Sequence, residues 1–190
     1  MGHKASREWM VGIRKLGDNE MRKRSLSSIV KEAASKATFE EKIQVLHQNA
    51  SESLLLLFTA AYDPRFTFLL PRGATPYKKI SGLLDQEGRL YVEMKHMEKF
   101  MAVNGQPVKP TLSKIKREML FLQMLESLDP EDAEMMVAVK DKKFPWKGIT
   151  ARTAQMAFPQ LYIGEPKEET LTEKKSKKVK ESVENQQQSA

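Results

Sequence analysis

An all-α bundle is the fold class this chain predicts, on three observations. Apolar residues recur at helical spacing through most of its middle, helix-start signatures precede four of those stretches, and only residues 66–70 alternate as a strand does. At 190 residues and 40% hydrophobic content, one core-bearing domain with tails is expected. That domain is placed at residues 25–163, between a basic arm at 1–24 and a polar tail at 164–190.

Taken in order, Trp9, Met10, Val11, Ile13 and Leu16 in the arm suit a short helix or a loose segment. Leu26, Ile29, Val30 and Ala33 line one face of a helix over residues 25–36. Thr38-Phe39-Glu40-Glu41 has capping-box spacing and opens a second helix with Phe39, Ile43 and Leu46 on one side. Ser51 caps a third, whose residues 54–62 are apolar nearly all round and belong at the centre of the core; Asp63-Pro64 ends it. An extended piece at 66–70 leads into a long central loop marked by Pro71, Gly73, Pro76 and Gly82. Helix is expected again over 91–103, with a break at Asn104-Gly105 and Pro107. Ile115, Met119, Leu122 and Leu125 give the apolar stripe of a helix over 113–128. Asp129-Pro130-Glu131-Asp132 starts the next, with a cap, a proline at the first position and acids at the positive end of the dipole. The last, over 151–158, is capped by Thr150 and stopped by Pro159. The segment 164–190 has no aromatic and ends in a glutamine-rich stretch, so disorder is expected, with transient helix over 173–184.

The chain carries 32 Lys+Arg against 25 Asp+Glu, a net +7, and no cysteine. Disulfides, thiol nucleophiles and Cys-ligated zinc are thereby excluded. The charge is uneven: +5 over residues 1–37, +5 over 71–118 and +4 over 140–163, against −2 over 38–70, −5 over 119–139 and 0 beyond. No apolar run suffices to span a bilayer and no signal-peptide core leads the chain, so a cytoplasmic protein without a membrane partner is expected. Met1-Gly2-His3-Lys4-Ala5-Ser6 fits a myristoylation pattern, a short and degenerate one.

The most informative segment is residues 140–152, where Lys140, Lys142, Lys143, Lys147 and Arg152 surround a loop containing Trp146 and Gly148 that feeds a helix start at Thr150. Free N–H groups and the dipole there favour a phosphate, and such contacts bind a nucleic-acid backbone without reading its sequence. A solvated turn with Phe144 and Trp146 packed inward satisfies the same pattern. Lys114, Lys116 and Arg117, with Lys109, form a second basic block at a helix start, where cations oppose the dipole. Catalytic constellations are missing. His3, His47 and His96 fall in separate segments, Glu93-Met94-Lys95-His96 is a single copy of a spacing that di-iron chemistry needs twice, and no phosphate-binding Gly-x-x-x-x-Gly-Lys loop occurs. No enzyme, metal or cofactor is expected.

Lys42-Ile43-Gln44-Val45-Leu46, the Leu-rich helix ending at Tyr62-Asp63-Pro64, and the run from Gly148 to Phe158-Pro159 resemble the α-helical N-terminal DNA-binding domain of ATP-dependent DNA ligases of the T-even-phage type. Small tailed-phage proteins with a Lys-Asp-Lys-Lys and aromatic-Pro ending look similar. The resemblance implies a domain that clamps duplex DNA by its backbone, with Gly148, Thr150 and Arg152 contributing. Two features depart from the ligases: Phe144-Pro145-Trp146 lengthens the loop, and the adenylation motif Lys-x-Asp-Gly is absent. The expectation is a non-catalytic, sequence-non-specific binder of double-stranded DNA, of phage type, in the host cytoplasm. The rival is an adaptor to a phage or host replication or transcription complex, docking through the Phe144-Pro145-Trp146 tip and the tail.

Overall fold

The structure, a computed structural model, describes residues 24–79 and 88–164. The expectations for residues 1–23, for Gly82 in the central loop and for 165–190 lie outside them. Seven α-helices are present among the described residues: α1 Leu26–Ser35, α2 Phe39–Gln48, α3 Glu52–Tyr62, α4 Arg89–Met94, α5 Lys114–Ser127, α6 Pro130–Lys140 and α7 Ala151–Ala157.

Each long helix starts where a side chain can satisfy the first free N–H groups. Ser25, Ser51 and Ser113 accept from the N–H of Ser28, Leu54 and Lys116, Asp129 accepts from Glu131, and Thr38 and Glu41 close a reciprocal capping box. α3 is the central element. Leu54, Leu55, Leu57, Phe58, Ala60 and Ala61 are all buried, so the helix needs neighbours all round, and it finds them in α4, α6, α7 and the first strand. α1 bridges α2 and α6, and α2 packs on α7.

The chain is mainly helical, and a small antiparallel sheet corrects the all-α expectation. β1 (Phe66–Phe68), β2 (Met101–Val103) and β3 (Gln106–Pro107) lie in that order, with Phe66 opposite Val103, Phe68 opposite Met101 and Val103 opposite Gln106. The helix expected over 91–103 stops at Met94, passes through one 3₁₀ turn at Met97–Lys99 and becomes β2. Asn104-Gly105 is a two-residue hairpin turn, both residues at positive φ (50° and 79°), rather than a helix break. Met94, Met97 and Met101 are buried at helical spacing, although only the first belongs to an α-helix.

A second correction concerns α5. Its buried residues are Arg117, Phe121, Met124 and Leu125, so the inner face is rotated away from the stripe read in the sequence. Ile115 and Met119 face solvent, 74% and 55% exposed.

Candidate nucleic-acid interface

The segment from Lys140 to Arg152 leaves the C-terminus of α6, crosses the end of α3 and enters α7. Lys140 is buried: its Nζ donates to the carbonyls of Pro71 (2.7 Å) and Gly73 (3.1 Å) and to Asp141 Oδ1 (2.8 Å). Asp141 Oδ2 accepts from the Gly73 N–H. Burial alone would raise the Asp141 pKa, but the Lys140 ammonium and the Gly73 N–H together hold it below the usual carboxylate range.

Lys142 ends α6 in a Schellman motif. The Lys143 N–H reaches Ala138 O, the Lys142 N–H reaches Val139 O, and Lys142 takes the left-handed conformation (φ 61°) usually left to glycine. Its side chain then folds over the end of α3, donating to Ala60 O (2.7 Å) and Asp63 O (3.0 Å), carbonyls that α3 itself cannot pair. Burial, partly offset by Asp63, pushes its pKa down to about 8.

Phe144 packs against Phe58 and Tyr62, with ring centroids 5.6 Å apart in each case, and Trp146 is half-buried on the core. The tip expected to dock a partner is therefore turned inward, leaving Pro145 exposed between two packed rings. The Tyr62 hydroxyl donates to Ile149 O at 2.7 Å, and burial raises its pKa. Gly148 (φ 103°) runs so close to its own fold that a Cβ would lie 2.8 Å from Lys42 Nζ and 3.2 Å from Ala34 O. The close approach expected there for a phosphate is taken by α1 and α2. Thr150 caps α7, its Oγ1 accepting from the Thr153 N–H while Thr153 Oγ1 accepts from the Thr150 N–H.

Of the eleven residues singled out by sequence, three are corrected: Lys140, Lys142 and Arg117 are held by the fold. Arg117 is buried and donates to Lys99 O (2.9 Å) and Leu112 O (3.0 Å). Trp146, Gly148 and Thr150 serve packing, close approach and capping. Lys143, Lys147 and Arg152 are exposed on or beside the loop. Lys114 and Lys116 are exposed on α5, which packs on α6, whereas the loop and α7 lie against α2.

Sequence reasoning missed Lys42 as a site residue. It projects from α2 to the loop, with Nζ 3.4 Å from Gly148 O, and Arg152 lies over the Phe39 ring on the same helix, 6.0 Å from its centroid. The signal was present in the Lys42-Ile43 motif. Lys42 thus meets the loop at Gly148, Arg152 of α7 leans on α2, Lys147 precedes Gly148 in the chain and Lys143 lies further back on the loop beside Asp141, and among the described residues none of the four forms an ion pair. Glu40 and Glu41 occupy the first turn of α2, where Glu41 accepts from the Thr38 N–H. No group of three His, Asp or Glu able to hold a metal ion occurs among the described residues, and no helix there is long and apolar enough to cross a membrane.

The chain matches a family model over residues 29–145, described as a family of unknown function (DUF6433), and it belongs to that family. No curated protein and no solved structure matches it.

Proposed function

We propose that this member of the DUF6433 family is a non-catalytic protein that binds duplex DNA through backbone phosphates, at the surface formed by Lys42, Lys143, Lys147 and Arg152. The observation that carries the reading is that Lys42 of α2 reaches Gly148 O next to the exposed Lys147, while Arg152 of α7 lies over Phe39 of α2, without ion pairs among the described residues. Cations so placed gain by releasing counterions from a polyanion, and contacts to backbone phosphates carry no sequence information, so the binding is sequence-non-specific. The ligase resemblance, with its Lys42 and Gly148 motifs, supports the same side of the molecule and a phage setting in host cytoplasm.

The test is an anisotropy titration of a labelled duplex against salt. Four neutralised phosphates give a log-log slope of about −3.5. Lys147→Glu with Arg152→Glu should weaken binding about 10-fold or more and flatten the slope by about 2. Absence of binding to any duplex at low salt overturns the reading. Unchanged affinity in the double variant moves the site elsewhere.

A further inference from the structure

α5 carries two apolar rows, and the fold uses one. Phe121, Met124 and Leu125, with the buried Arg117, seat the helix on the core. On the opposite side lie Ile115 and Met119, 74% and 55% exposed, with half-buried Leu122 next in line. Single exposed apolar residues are ordinary on a protein surface. A row at i, i+4 and i+7 is the ladder by which one amphipathic helix meets another.

Charge at that end has one sign. Lys114 and Lys116 bracket Ile115, both exposed, and the first turn of α5 holds no acid. Their charges add to the positive end of the helix dipole, an arrangement that costs stability in the isolated chain and that an anionic partner would relieve. The acids of α5 do not offset it. Glu118 has Oε1 buried, and Glu126, towards the other end, accepts from the Lys78 N–H.

We infer that this face docks an acidic amphipathic helix of a partner protein, its apolar side chains on Ile115, Met119 and Leu122 and its carboxylates on Lys114 and Lys116. A nucleic-acid backbone would answer the lysines but leave the apolar row in water. A second copy of the chain would lay the same lysine-bearing row on itself, with Glu126 already engaged by Lys78. The inference is independent of the DNA reading, since it uses none of the residues assigned there.

The experiment uses the full chain and two labelled synthetic helices of about 20 residues, both with leucines at the ladder positions. One carries glutamate at its other positions and one carries lysine. Anisotropy should show binding of the glutamate helix and not of the lysine helix. Ile115→Ala with Met119→Ala, or Met119→Glu alone, should weaken it about 10-fold or more. Lys147→Glu with Arg152→Glu should leave it unchanged. Equal binding of both helices, binding of neither, or indifference to the Met119 and Ile115 variants overturns the proposal. A concentration-dependent dimer in sedimentation velocity that Met119→Glu dissolves assigns the row to a second copy and overturns it too. So does weakened duplex binding in Met119→Glu, which would make the row part of the nucleic-acid surface. Loss of DNA binding by the wild type, with the peptide result intact, would sink the DNA reading alone.

Discussion

The loop over residues 140–152 and the first half of α5 look alike in sequence, each a cluster of lysines and arginine interleaved with large apolar residues. Their fates are opposite. The loop turns its rings inward onto Phe58 and Tyr62 and commits Lys140 and Lys142 to carbonyl oxygens, keeping three cations outside. α5 buries its arginine and leaves Ile115 and Met119 in water beside two exposed lysines. What separates them is the local supply of unpaired carbonyls. The loop crosses the C-terminal end of α3, whose Ala60 carbonyl has no partner within the helix, and the turn at Pro71 and Gly73, and lysine Nζ atoms reach these acceptors. Of the cations on α5, Arg117 alone points at such groups, the carbonyls of Lys99 and Leu112.

The sharpest way to break this contrast is to remove the buried cations. Lys140→Met leaves Pro71 O and Gly73 O without a donor and Asp141 without its ammonium, and should cost about 3 kcal/mol. Arg117→Met, which strands Lys99 O and Leu112 O, should cost about 2 to 3 kcal/mol. Denaturant midpoints check both, with Lys116→Met as the exposed control that should leave the midpoint in place. Equal effects from Arg117 and Lys116 would erase the distinction between held and free cations.

Gly148 sharpens the loop's side of the comparison. Gly148→Ala meets a left-handed φ of 103° and the Ala34 carbonyl at 3.2 Å, while Lys42 Nζ, the far end of a flexible side chain, can move. The expected loss is about 2 kcal/mol. Gly105→Ala has a φ of 79° with nothing within 4 Å of the added Cβ, so about 1 kcal/mol is expected. Thermal melts of the pair should keep that order, and a reversed order would show that Gly148 has room around it.

Helix starts were legible because a cap is local: Thr38, Ser51, Asp129 and Thr150 each bond within three residues. The hairpin was not, because Met94, Met97 and Met101 keep a helical period across a 3₁₀ turn and a strand, and that period outweighed the Asn104-Gly105 signal. The facing of α5 was hidden by its second apolar row and by an arginine at a core position. Within the site, formal charge could be counted from sequence but its use could not. The carbonyls that hold Lys140 and Lys142 come from segments 67 to 82 residues earlier, and no local pattern announces them. Lys42, itself half-buried, joins the exposed cations by the same long-range packing, through Gly148.

Lys142 offers the finest test, since it is neither free nor fully enclosed. Its pKa falls from the ordinary lysine value of 10.5 to about 8 because burial disfavours the ammonium more than Asp63, itself paired with Arg65, favours it. Between those values the unfolded chain binds a proton that the folded chain has released, so stability rises with pH across the window from about 8 to 10.5. Below pH 8 both states hold the proton, and the cost of burying the charge is present in full. The neutral amine still donates to Ala60 O and Asp63 O, so the cap on α3 survives deprotonation. Lys142→Met removes both donors and the titration together. Its denaturant midpoint should fall further behind the wild type at pH 9.5 than at pH 7.5. A gap that narrows with pH would mean that the charge, not the hydrogen bonds, holds Lys142 against α3, whereas a gap that does not change would place Lys142 with the free cations of the loop.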